Sequence, residues 1–292
     1  VGYALQMEQA PWTQQFHPHH LIYNVLGMGL TRVSAWLGMS WRALELMRIV
    51  NAFLAGLAVL LCWRLLERLT DGTQAGLVGW CTALFASSYG LWYYSGQNEP
   101  YVVALLPLLL VSRGLIEAIT AQRVTIRQAL QWGAWVGLAC LLHQMHLVFL
   151  PVLVYGLWLA GGGKSRWAML ASVAVVAAIV TGAYLWAGAV SGHFTDWRAW
   201  WQWLTHYAQG GVFGRWTLQS ALVWPLGVLR VIKKVSWLKA WVFQPSWDWT
   251  VIGWCGGLLA TWAALLIGCW QGARLLWVRE RVVRRLGGFL WC

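Results

Sequence analysis

The uncharged stretch from Gln128 to Gly163 sets the strongest limit on what this chain can fold into. It contains no Asp, Glu, Lys or Arg, and as one helix it would be about 54 Å long, which exceeds one membrane crossing. We expect it to divide near His143 into two short helices, with Pro151 kinking or starting the second. Only 10% of the whole chain is charged and 60% is apolar, which excludes a soluble domain and a disordered chain.

Further apolar runs are long enough to cross a bilayer, namely Leu44–Leu66, Ala75–Tyr94, Glu99–Thr120, Trp167–Gly192 and Trp249–Ala273. The predicted fold class is all-α, a polytopic integral membrane protein of about seven transmembrane helices, two of them short. Interfacial helices are expected near His17–Leu37 and Asp196–Gln209, and Trp216–Leu229 is short enough to be interfacial or re-entrant.

The net charge of +12 comes from Lys and Arg clusters between the apolar runs, a pattern typical of topology control and not of nucleic-acid binding. Taking these clusters as cytoplasmic gives one membrane domain over 1–292. Residues 1–43 form an outer loop, 44–192 a helical core, 193–248 a second outer segment, and 249–292 the last helix and a basic cytoplasmic tail. Because the chain starts at Val1 without a signal peptide, we expect it to begin inside a longer protein.

Four polar groups that hydropathy does not explain fall on the outer side. His17, His19 and His20 could bind a metal ion, accept a proton or contact a phosphate, or could form a plain interfacial loop. Glu99 begins a helix, where a carboxylate is also favoured by the helix dipole. His143 and His146 share a helix face, where a packing role is equally consistent with the sequence. The fourth group runs from Trp200 to Trp216, and its aromatic residues and Arg215 could hold a lipid-linked anion.

Four short motifs in these groups resemble bacterial membrane glycosyltransferases of the GT-C class, in particular dolichyl-phosphate-mannose-type enzymes. The motifs are FHPHHLIY from Phe16 to Tyr23, WYY with EPY from Trp92 to Tyr101, LHQ from Leu142 to Gln144, and WLTHYA with GRW from Trp203 to Trp216. Each is short, and the resemblance depends on their order and their expected membrane placement. It covers most of the chain.

The resemblance implies transfer of a sugar from a polyprenyl-phosphate donor to a glycan, lipid or protein acceptor on the outer face of a bacterial inner membrane. A carboxylate of the first outer loop would act as general base, and a divalent metal ion or basic groups would offset the charge of the leaving phosphate. That carboxylate is expected a few residues before Tyr3, upstream of Val1, with Glu8 as a substitute.

The resemblance implies catalytic roles for Glu8, His17 and Glu99. The implied substrate-binding residues are His19, His20, Tyr23, Tyr101, His143, Gln144, His206, Tyr207 and Arg215. The alternative from another class is a transport or haem-binding membrane subunit, in which His143 would be an axial ligand.

Overall fold

The computed structural model describes residues 2–70, 72–161 and 165–209, with side chains as far as Thr205. Within these ranges the regular structure is helical, with ten α-helices and two short 3-10 helices, at Trp12–Gln14 and Gln144–Phe149. The α-helices are α1 Gly2–Gln9, α2 Tyr23–Trp36, α3 Ala43–Leu69, α4 Ala75–Ala86, α5 Tyr89–Ser95, α6 Tyr101–Ala121, α7 Ile126–Leu142, α8 Leu150–Gly161, α9 Arg166–Val190 and α10 Trp197–Gln209.

Four helical segments of the described chain are long and apolar enough to cross a membrane: Ala43–Leu69, Tyr101–Ala121, Gln144–Gly161 and Arg166–Val190. The helix α6 is the most enclosed of them, with 56% of its apolar window buried against 17, 28 and 22% for the other three. It packs against α3, α7 and α8, so it is central to the described part of the chain. These four segments confirm the predicted helical membrane class, while the predicted count of about seven transmembrane helices is not confirmed.

The long uncharged stretch divides at His143, as the sequence predicts. His143 has extended backbone torsions between α7 and the following 3-10 helix, and Pro151 lies in the first turn of α8.

The start of α7 has a capping box, because Thr125 accepts a hydrogen bond from the Gln128 backbone amide while the Gln128 side chain accepts one from the Thr125 backbone amide.

The predicted span Ala75–Tyr94 differs from the structure, which divides it into α4 and α5. The backbone leaves the helix at Ser87 and Ser88, and the Ser88 hydroxyl accepts a hydrogen bond from the Leu91 amide at the start of α5. A serine that caps a new helix competes with continuation of the old one, which hydropathy does not register. Consequently α4 has 12 residues, too few to cross about 30 Å of hydrocarbon.

The two helices predicted to be interfacial are present as α2 and α10. Among the side chains of α10 that the structure describes, 197–205, Trp200 is buried, and its indole N–H donates to the Tyr184 carbonyl at 3.3 Å. Trp197 and Trp201 on the same helix are exposed. The predicted segments Trp216–Leu229 and Trp249–Ala273 and the basic tail lie outside the described residues.

Among the described helices, the most extensive pair is α7 with α9, and two glycines of α7 allow the close approach. A Cβ added at Gly133 would lie 2.7 Å from the Ser172 carbonyl oxygen, and one at Gly137 would lie 3.1 Å from Ile179 Cγ2. Small residues that bring backbones together are a common basis of helix association in membranes.

We predict that Gly133→Ala lowers the thermal unfolding midpoint of the purified protein in detergent, at a cost of about 1–3 kcal/mol for overpacking. The matched control is Gly182→Ala in α9, where an added Cβ meets nothing within 4 Å. Equal midpoints for the two variants would contradict the close α7–α9 contact.

Candidate functional site

Three segments that are far apart in the sequence meet in one place. They are residues 17–24, residues 97–101 and residues 141–146, and together they are called the polar junction below. Two backbone hydrogen bonds join the first segment to the third: the Ile22 amide donates to the Leu141 carbonyl at 3.2 Å, and the Gln144 amide donates to the His19 carbonyl at 2.9 Å. Residues 17–20, called the histidine loop below, are therefore attached to the end of α7.

Side chains strengthen this attachment. Gln144 Nε2 lies 2.6 Å from His19 Nδ1. Because the amide nitrogen is a donor, His19 Nδ1 accepts, and the proton of the neutral ring lies on Nε2. The Tyr184 hydroxyl of α9 donates to the Pro18 carbonyl. The loop is thus held by α7 and α9 together, and Gln144 has a structural partner in addition to its predicted substrate contact.

The second segment joins the first through a buried hydrogen-bond network. The Tyr23 hydroxyl donates to Asn98 Oδ1 at 2.9 Å and accepts from Asn51 Nδ2 at 3.2 Å. Asn51 Nδ2 also lies 2.7 Å from the Gln97 carbonyl oxygen and 3.0 Å from that of Glu99. Tyr23 and Asn51 have no exposed surface. The set of Tyr23, Asn51, Asn98 and these two carbonyls is called the Asn51 network.

The imidazoles of the junction pack against one another and against tyrosines. The rings of His17 and His20 are stacked, with centroids 4.5 Å apart and planes at 12°, and Tyr3 meets His20 edge-on at 4.5 Å. Tyr101 lies with its ring 4.7 Å from that of His143. His20 is almost fully buried, and its Nε2 has no hydrogen-bond partner among the described residues.

Burial determines the charge of the junction. Burial first, and neighbouring imidazoles to a smaller extent, lower the pKa of His20 to about 3 and that of His143 to about 4. The pKa of His19 is also lowered by burial. These three rings are therefore neutral at pH 7 and can act as hydrogen-bond donors or acceptors. Burial raises the pKa of the half-buried Glu99 carboxyl, which favours its protonated form.

Glu8, on α1, makes its polar contacts at the N-terminus of α3. Its carboxylate accepts a hydrogen bond from the Ala43 amide at 2.7 Å and lies 4.0 Å from Arg42 Nε. This contact joins α1 to the start of α3, and it satisfies a helix N-terminus that also favours negative charge. The role of Glu8 as a general base stays a prediction.

The remaining predicted site residues fall at the edge of the described chain or beyond it. His206 and Tyr207 belong to α10 by their backbone, but their side chains lie outside the described part, and Arg215 lies outside it altogether. The described part of α10 belongs to one apolar cluster with the residues that flank the histidine loop, and this cluster includes Trp200, Phe16, Leu21 and Tyr184.

No three His, Cys, Asp or Glu side chains within the described ranges are placed to hold a metal ion. The structure adds Asn51 and Asn98, which were not among the predicted site residues. A signal was present for Asn51, since a polar side chain within a candidate membrane span needs a polar partner. Asn98 carried no comparable signal, because polar residues are ordinary in a tight connection.

Comparison of the chain with protein-family models, with curated proteins and with solved structures yields no match.

We predict that the protein loses stability as the pH falls below about 6.5. Below that pH a histidine of the unfolded chain binds a proton, whereas the buried His20 of the folded chain, whose pKa is about 3, stays neutral. One fully shifted group contributes roughly 1 kcal/mol per pH unit. In His20→Phe, the thermal unfolding midpoint should therefore fall less steeply between pH 6.5 and 5 than in the unmodified chain.

Thr82→Val is the control, because it alters a buried hydroxyl that does not titrate. A His20→Phe slope equal to that of the unmodified chain would contradict the neutral, buried state of His20.

Proposed function

We propose that this chain transfers a sugar from a polyprenyl-phosphate donor to an acceptor at the outer face of a bacterial inner membrane, as a GT-C-type glycosyltransferase. The observation that carries the proposal is the convergence of FHPHHLIY, EPY and LHQ, three of the motifs behind the resemblance, in the polar junction. FHPHHLIY and LHQ are separated by up to 125 residues in sequence, the spacing of His19 and Gln144, and are joined by direct hydrogen bonds. EPY meets them through the ring contact of Tyr101 with His143 and through Asn98, which directly precedes it and accepts a hydrogen bond from Tyr23.

We assign the donor phosphate to the imidazoles of the junction. A neutral imidazole donates one hydrogen bond and accepts another, so His20 and His143 can contact a phosphate oxygen without first carrying charge. The buried, unpartnered Nε2 of His20 supports this assignment, because an unpaired buried polar atom is costly in the absence of a ligand.

We assign the acceptor to Glu99. In the transfer step, the acceptor oxygen forms a bond to the anomeric carbon of the donor sugar, while the bond from that carbon to the phosphate oxygen breaks. The electron pair of that bond leaves with the lipid phosphate, and the acceptor proton passes to the Glu99 carboxylate. A carboxyl group with a raised pKa suits proton transfer near neutral pH, where general acid–base catalysts are most effective.

The proposal includes membrane lipids as the medium that delivers the donor. Trp197 and Trp201 of α10 and Phe194 just before it are exposed beside the apolar cluster that holds the histidine loop. Indole rings favour the boundary between hydrocarbon and headgroups. A lipid-linked donor held at that boundary would have its phosphate at the level of the polar junction.

The test is transfer or hydrolysis of a radiolabelled polyprenyl-phosphate sugar by the full chain in lipid nanodiscs. Glu99→Gln should lower the rate by about 10²–10⁴-fold, the usual contribution of a general acid–base group. Glu117→Gln is the matched control, because Glu117 lies 18 residues farther along the chain, near the far end of α6, where it pairs with Arg113 at 3.0 Å.

Absence of donor turnover and donor binding would contradict the proposal, as would equal rates for the Glu99→Gln and Glu117→Gln variants. A Soret absorption band in the purified protein would also count against it, because that band would support the haem-binding alternative.

A further inference from the structure

Asn51 is a fully buried amide in the third turn of α3, within a candidate membrane span. Its Nδ2 lies within hydrogen-bond distance of three acceptors, namely the Tyr23 hydroxyl and the carbonyls of Gln97 and Glu99. The amide nitrogen has only two protons for these three acceptors, so at least two of the acceptors share one proton. Such a concentration of acceptors on one buried donor makes its removal costly.

Two of these acceptors, the carbonyls of Gln97 and Glu99, belong to one short connection. Residues 96–100 link α5 to α6, and Glu99 stands two residues before α6 begins. The carbonyls of Gln97 and Glu99, one on each side of Asn98, accept hydrogen bonds from Asn51. The Asn98 side chain accepts one from Tyr23. The connection is therefore fixed at three successive residues from one side by α3 and α2.

We propose that Asn51 is a positioning residue, which holds the 97–99 connection against α3 and thereby keeps the Glu99 carboxyl half-buried beside Tyr23. Asn51 acts through the backbone of Glu99 and does not itself touch substrate. The importance of this position for catalysis rests on the function proposed above, whereas the positioning itself depends only on the contacts of the Asn51 network.

The electrostatic surroundings of Tyr23 agree with this placement. The pKa of Tyr23 is raised, chiefly by burial, and the negative charge of Glu99 raises it further. Glu99 is thus close enough to act on the hydroxyl that joins Asn51 to Asn98. Release of the connection would admit water to Glu99 and remove the burial that raises its own pKa.

The experiment measures Glu99 directly and does not need turnover. Dicyclohexylcarbodiimide adds to a protonated carboxyl group, so the pH dependence of labelling reports the protonation of Glu99. The full chain in nanodiscs is labelled over a range of pH, and the modified peptide is quantified by mass spectrometry. In Asn51→Leu the midpoint of the Glu99 labelling curve should move to lower pH, and labelling near neutral pH should fall several-fold.

Tyr23→Phe provides a milder variant, because it removes one hydroxyl and leaves both carbonyl contacts of Asn51 in place. It should move the midpoint in the same direction by a smaller amount. Thr82→Val is the control, since it replaces a buried hydroxyl on α4 that belongs to no hydrogen bond among the described residues. Its labelling curve should match that of the unmodified chain.

An unchanged midpoint in both Asn51→Leu and Tyr23→Phe would overturn the positioning role. If Asn51→Leu does not fold, the Tyr23→Phe curve decides alone. The outcome is separable from the proposed function: a shifted midpoint without any sugar transfer would retain the positioning role and reject the glycosyltransferase. Sugar transfer with an unshifted midpoint would retain the glycosyltransferase and reject the positioning role.

Discussion

The pairing of the buried Asn51 amide with the Tyr23 hydroxyl and two backbone carbonyls is the interaction on which the polar junction depends. An amide inside an apolar helix is costly unless it is hydrogen-bonded, so α3 can pack here only with the 97–99 connection and the start of α2 in place. The same contacts set the position of the histidine loop, because Tyr23 follows His20 by three residues. The need to hydrogen-bond Asn51 in the helical core therefore also fixes the geometry of the polar junction.

Much of the helical core could be predicted because long apolar runs and their interruptions carry a strong signal. That the uncharged stretch divides follows from its length, since one helix over it would exceed the bilayer, and the polar His143 within it marks the place. The break at Ser87–Ser88 could not be found in this way, because it depends on a local capping bond and leaves the hydropathy unchanged. The expected interfacial helices occur as α2 and α10, but their depth in a membrane depends on lipid contacts outside the chain.

The candidate site was predictable as a set of segments and not as a set of contacts. Histidines and a lone carboxylate stood out against an apolar background, and the charge pattern placed their segments on one side. The pairing of His19 with Gln144 and of Tyr23 with Asn98 depends on the packing of α2, α6 and α7, which no local pattern encodes. Glu8 shows the converse: its carboxylate is an evident candidate in sequence, yet its partner is the Ala43 amide, a helix terminus in need of an acceptor.

The most direct measurement of the central claim is a double-mutant cycle on Tyr23 and Asn51, with Tyr23→Phe, Asn51→Leu and the double variant compared by their free energy of unfolding in detergent. The account predicts a coupling of about 0.5–3 kcal/mol, because each single variant already removes the bond between the two side chains. Additivity of the two substitutions within about 0.3–0.5 kcal/mol would contradict the account, since it would mean that Asn51 and Tyr23 do not share a network.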